Sequence, residues 1–188
     1  MFESTIHFTM TGLLFAGAVP VILAALLWLV GRSVPPAVRD ARAGIGGLLL
    51  LVLLILSVKA VLSMFDLGHQ AGEAVRVISV DSNFAWPAIK STLPAIVNTV
   101  SILSALVLLA IGRTRGALFT ALALVWVAGP GDDLLKMLIL GIPFDLSQGF
   151  LGISFFTILV TLYLLLSVRS SMTYGLPGAS RRVYDRAE

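Results

Sequence analysis

The sequence contains no cysteine. That excludes a disulfide framework, thiolate ligation of iron–sulfur clusters and a thiol nucleophile, and it says nothing about redox compartment. Charge is scarce as well. Asp, Glu, Lys and Arg make up 12% of the 188 residues, about half of the ~25% of a soluble globular domain. The only histidines, His7 and His69, lie outside the apolar runs, which argues against a haem held by two histidines within a bilayer. No Ser-His-Asp set, phosphate-binding glycine loop, nucleotide motif or metal-binding helix motif is present. These absences point away from an enzyme, and no cofactor or metal is expected.

What is there is apolar. Hydrophobic residues make up 58% of the chain, with a mean hydropathy of +1.01. That leaves too little polar surface to cover a water-soluble globule. Residues 10–30, 44–65, 92–112 and 150–168 are runs of the length that crosses a bilayer as helix, about 20 residues. A fifth run, 117–128, is short for a crossing by itself. The pattern predicts an all-α integral membrane protein, a bundle of about five transmembrane helices. The fourth helix, within 117–142, is either broken or followed by a short re-entrant or interfacial helix near 129–142. Residues 1–168 form the membrane domain, and 169–188 form a polar C-terminal tail.

The basic residues sort onto one side. Arg32, Arg39 and Arg42 lie between the first two runs, Arg113 and Arg115 after the third, and Arg169, Arg181, Arg182 and Arg186 after the last. Five crossings place all of these on the same face. The other face receives Glu3, Asp66, Glu73, Asp81, Asp132, Asp133 and Asp145, with Arg76, Lys90 and Lys136. Short basic segments stay cytoplasmic, so the N-terminus is expected outside and the C-terminus inside. Glu3 stands where a signal peptide would carry a basic residue. The basic residues flank spans and read as orientation signals, with no nucleic-acid partner expected. The Leu/Ala/Gly/Arg bias fits a bacterial-type inner (plasma) membrane.

The stretch Gly129-Pro130-Gly131-Asp132-Asp133-Leu134-Leu135-Lys136-Met137 interrupts the fourth run with helix breakers and charge. In one reading the acids cap a short interfacial helix. In the other they lie at a break within a membrane helix, a known way of building ion or substrate sites. An ionised Asp at the bilayer centre costs about 2.5–3.5 kcal/mol to insert. Lys136, one turn on, is placed to offset that for either acid. Lys59 in the second run and Asp66 at its end complete the candidate polar membrane site: Asp132, Asp133, Lys136, Lys59 and Asp66. Lys59 also reads as a snorkelling residue near the outer interface.

Gly129-Pro130-Gly131-Asp132 resembles the GxGD pattern around one catalytic aspartate of the intramembrane aspartyl proteases, including prepilin peptidases. The resemblance covers four residues and implies a second aspartate sharing a proton, for which Asp66 is the available partner. Those peptidases resemble one another in a lysine two residues after the aspartate, where this chain has Leu134. Their aspartates also face the cytoplasm, whereas the charge bias places Asp132 outside.

Smaller signals concern packing. Gly12 and Gly17 in the first run, and Gly44 and Gly47 opening the second, are read as sites of close helix approach, and Asn98 as an interhelical hydrogen-bonding group. The segment 66–91 is read as an external loop in which 73–80 is a short strand or interfacial helix. His69, Asp66 and Glu73 there have the ingredients of a metal site but read better as solvated charges. Three functions are compatible with all this. The first is a multipass subunit of a larger membrane assembly of secretion, conjugation or respiratory type, or a homo-oligomer, whose partners are the lipid bilayer and other subunits or copies of itself. The second is a small ion channel or transporter using the broken fourth helix. The third is the GxGD-type protease.

Overall fold

In the computed structural model, residues 10–38, 43–143 and 148–177 are described, with side-chain surroundings given from residue 18 onward and, after the second break, from 149. Helix is the only regular structure among them. In chain order the elements are α1 (Met10–Ser33), α2 (Leu48–Val80), a 3-10 turn at Ser82–Phe84, α3 (Ala85–Ile111), α4 (Arg115–Ala128), α5 (Pro130–Leu140), α6 (Gln148–Leu166) and α7 (Val168–Tyr174).

The core forms where α2, α3 and α4 meet. Leu49, Leu53 and Leu56 of α2 recur at helical spacing and are fully buried, as are Ile102, Ala105 and Leu109 of α3 and Leu118 and Ala121 of α4. Alanine at the contact positions lets backbones approach closely, so dispersion packing holds the helices together where the solvent is itself apolar. The outward faces stay greasy. Leu48, Leu51, Ile55, Val58 and Leu62 of α2 are all exposed, as suits a helix that lipid surrounds. By length and composition Leu48–Val80, Ser82–Ile111 and Gly149–Leu166 can each cross a membrane, and α4 with α5, bent by 57°, makes a fourth such unit. In α1 the described stretch Ala18–Ser33 is a shorter apolar helix.

The element boundaries differ from the sequence expectation in three places. The helix expected at 44–65 starts later and runs on to Val80, 33 residues in all, or about 50 Å at 1.5 Å per residue. The expected external loop is therefore mostly helix. Local pairs replace apolar burial there: Gln70 donates to Asp66 at 2.9 Å and Arg76 pairs with Glu73 at 3.3 Å, each within one turn. The helix stops at Asp81, whose carboxylate accepts from the Asn83 backbone N–H at 2.9 Å. Next, α3 begins at Ala85 rather than 92, because Pro87 falls in its first turn, where no N–H is needed. Finally, the last expected span gives way at Ser167, and residues 169–177, expected in the polar tail, belong to α7 and a docked turn. Met172, Thr173 and Tyr174 there are fully buried, and the Ala37 and Val38 backbone N–H groups donate to the Thr173 and Met172 carbonyls.

The packing residues read from sequence also need correction. Gly44 and Gly47 precede α2 rather than lying in it, with φ of +97° and +55°. They turn the chain into α2, and an added Cβ on Gly47 would come within 4 Å of the Arg169 guanidinium. The interhelical bond assigned to Asn98 is made by its neighbour: Thr99 donates to the Ser63 carbonyl of α2 at 3.1 Å, while the buried Asn98 Oδ1 has no partner. Gly12 and Gly17 lie on α1, outside the residues whose side-chain surroundings are described.

Candidate functional site

The break after α4 follows from three consecutive residues. Pro130 has no N–H to offer the Trp126 carbonyl four residues back, so the α4 ladder cannot continue through it. Gly129 fills the junction because little else fits. A Cβ there would lie 2.7 Å from Thr157 Oγ1 of α6 and 3.0 Å from the Val125 carbonyl oxygen. Pro130 then opens α5, and Asp132 and Asp133 fall in its first turn, where the helix dipole favours negative charge.

The acids do not stand alone. Lys136 Nζ lies 2.7 Å from Asp132 Oδ2 and 4.0 Å from Asp133 Oδ1. The Asp132 side chain is 15% exposed, against 37% for Lys136, so the tighter pair is also the more buried. Asp132 Oδ1 is buried without a hydrogen-bond partner. Lys59, half-buried on α2, lies within electrostatic reach of Asp132, Asp133 and Lys136. Asp66 reaches Lys136 in the same way. It is exposed and accepts from Gln70. The five residues singled out from sequence thus form one electrostatic neighbourhood at the break.

Its depth follows from helix rise. Gly129 lies about 21 Å along α4 from Arg115, and Lys59 about 17 Å along α2 from Leu48. Projected through the 57° bend, α5 adds about 9 Å, so the bent pair covers about 30 Å, the thickness of a hydrocarbon core.

Two hollows flank the cluster. One, of about 450 Å³, lies between the far half of α2, the start of α3 and α5, and Lys136 lines it together with His69, Glu73 and Ser91. The other, of about 470 Å³, is a groove between α2 and α6 where Lys59 meets Ile153 and Phe156. Among the described residues no group of three or more His, Asp or Glu could hold a metal ion, and His69, Asp66 and Glu73 do not form one.

Sequence reasoning undervalued α6. Thr157 packs on Gly129, Thr161 accepts from Trp126 Nε1 at 3.1 Å, and the buried Ser154 Oγ has no partner. Hydropathy passes over three hydroxyls in so apolar a run, and does not show that 154, 157 and 161 share one helix face. The opposite end of the bundle was also missed. There Tyr174 donates to the Leu109 carbonyl at 2.6 Å, Arg113 donates to the Gly31 carbonyl at 2.6 Å, and Arg115 bonds the Gly175 carbonyl. Burial pushes the Tyr174 phenol far above its usual range and pulls the Arg113 guanidinium below its own.

Apolar helices of spanning length around a core of their own define a multi-span helical membrane protein. Comparison with known protein families, with curated proteins and with solved structures finds no match.

Proposed function

We propose that this protein is an ion-handling membrane protein, a small channel or transporter in which Asp132 takes up and releases a proton or small monovalent cation at the broken fourth span. One observation carries the reading: a nearly buried carboxylate with one oxygen on Lys136 at 2.7 Å and the other without a partner. A group placed only to cap a helix would have its oxygens spent on backbone N–H groups or water. Here one oxygen is held by an internal counter-ion that an incoming cation can replace, and the other is buried with its acceptor capacity unspent. An intramembrane charge is costly to keep and marks an ion pathway by default. Lys136 and Lys59 offset the charges of Asp132 and Asp133. The same pairing weighs against the aspartyl protease, whose two carboxylates share a proton with each other.

The test is reconstitution in vesicles with an internal pH dye and, separately, sodium- and potassium-sensitive dyes. An imposed gradient should drive flux through the wild type, and Asp132→Asn should reduce it at least tenfold. Flux equal in the two proteins would sink the reading. The second reading, a subunit of a larger membrane assembly, draws on α6. Only 17% of its apolar window is buried, leaving a face for a partner helix. Under that reading the protein would co-purify with a defined partner after cross-linking in native membranes.

A further inference from the structure

The hollow of about 450 Å³ has a composition unlike a lipid-facing crevice. His69, Glu73, Ser91 and Lys136 place polar groups on walls that are otherwise mostly apolar, among them Val77 and Leu140. Those four side chains give water the two to four polar partners it needs in such a space. Lys136 belongs to two places at once, because its ammonium is bonded to Asp132 and its side chain is part of the wall. In the other direction along the bundle the space is filled. Ile102, Leu106 and Leu109 of α3 interlock with Leu53 and Leu56 of α2 and Leu122 of α4 in one apolar cluster, and the buried Tyr174 closes it.

We infer that the hollow between α2, α3 and α5 is the aqueous vestibule through which protons or small cations reach Asp132 from the α2–α3 hairpin end, with Lys136 as the movable part of its wall. The inference rests on the ion-handling reading for its purpose, though not for its geometry. An entering cation meets Glu73 first and then displaces the Lys136 ammonium from Asp132 Oδ2. The displaced ammonium stays within reach of Asp133 and Asp66. The apolar cluster keeps the site from connecting to the α7 end in this conformation.

The absence of native cysteine makes the test direct. Ser91→Cys and Ala74→Cys are small changes on the vestibule wall, and Ser57→Cys lies in the buried apolar region of α2. A membrane-impermeant thiol reagent should modify the first two from the hairpin side and leave Ser57→Cys untouched. A water-soluble carbodiimide provides the second readout. It activates the Asp132 carboxylate as an O-acylisourea. The Lys136 amine, 2.7 Å away, then attacks the acyl carbon, the substituted urea departs, and an amide remains with net loss of one water. Peptide mass spectrometry should find that 132–136 cross-link in wild type and not in Asp132→Asn. A bulky adduct on Ser91→Cys or Ala74→Cys should cut its yield at least fivefold.

Unmodified cysteines at both wall positions, or a cross-link yield indifferent to the adducts, would overturn the vestibule. If the cross-link is blocked as expected but vesicles show no flux, the vestibule stands and the ion-handling reading falls.

Discussion

At the scale of single residues, Lys136 and Asp132 are best considered as a pair. Removing one partner of a fully buried ion pair costs about 3–5 kcal/mol, because it strands a charge, whereas replacing both is often nearly neutral. Lys136 is 37% exposed, so solvent screening lowers that figure here. Lys136→Met should destabilise by about 1–2 kcal/mol, and Lys136→Met with Asp132→Asn should recover most of it, giving a coupling energy of the size seen for contacting residues. Denaturant unfolding in detergent, read by helicity, completes the cycle. Additive single effects would mean that the pair is solvated and does not interact. Tyr174 poses a different question. Its burial raises the phenol's affinity for its proton, so the unfolded chain loses that proton first, from about pH 10. The contribution to stability is therefore complete below pH 10 and declines as pH rises above it. Tyr174→Phe should lose about 1 kcal/mol at neutral pH for the bond to Leu109. Its stability should then fall less steeply than wild type between pH 10 and 11.5, and parallel slopes would show a phenol that is not held protonated.

At the scale of elements, the break between α4 and α5 is held open from outside as well as written into the chain. Gly129→Ala adds a methyl 2.7 Å from Thr157 Oγ1 and 3.0 Å from the Val125 carbonyl. The hydroxyl can move with its helix; the carbonyl cannot. Overpacking of this kind costs about 1–3 kcal/mol, and Thr157→Ala should return only the part due to α6. The melting temperatures of the three variants decide this, and an unchanged Gly129→Ala would show that α6 does not seat on the junction. The break itself was legible, because Gly-Pro-Gly leaves the ladder without a donor. The long second helix was not. Residues 66–80 carry His, Gln, Glu and Arg with two glycines, and hydropathy reads such a stretch as loop. Pairs within one turn, Asp66 with Gln70 and Glu73 with Arg76, add a little support there that hydropathy does not count. Gly44 and Gly47 were misplaced for the converse reason: small residues look alike in composition whether they pack helices or turn the chain.

At the scale of the whole molecule, charge and fold point the same way. Arg113 and Arg115 gather with α7 at one end of the bundle, while Glu73, Asp81 and the vestibule occupy the other. The contacts of this end were not legible in the sequence, since nothing local in Tyr174 or Thr173 announces that they are buried against α3 and the chain before α2. On the positive-inside bias we propose that the α7 end is cytoplasmic, in which case the vestibule faces outward. Single cysteines at Ser79 on the α2 projection and at Gly116 in the first turn of α4, both exposed, report the two ends. Gly116 is open to substitution, with nothing within 4 Å of an added Cβ. In intact cells an impermeant thiol reagent should label Ser79→Cys and spare Gly116→Cys until the membrane is permeabilised. The reverse pattern would turn the molecule over. Asp132 would then take its ions from the cytoplasm, and the objection from sidedness to the GxGD resemblance would be gone. Labelling of both before permeabilisation would mean that the bundle does not separate two compartments, and the outward vestibule would lose its meaning along with the topology.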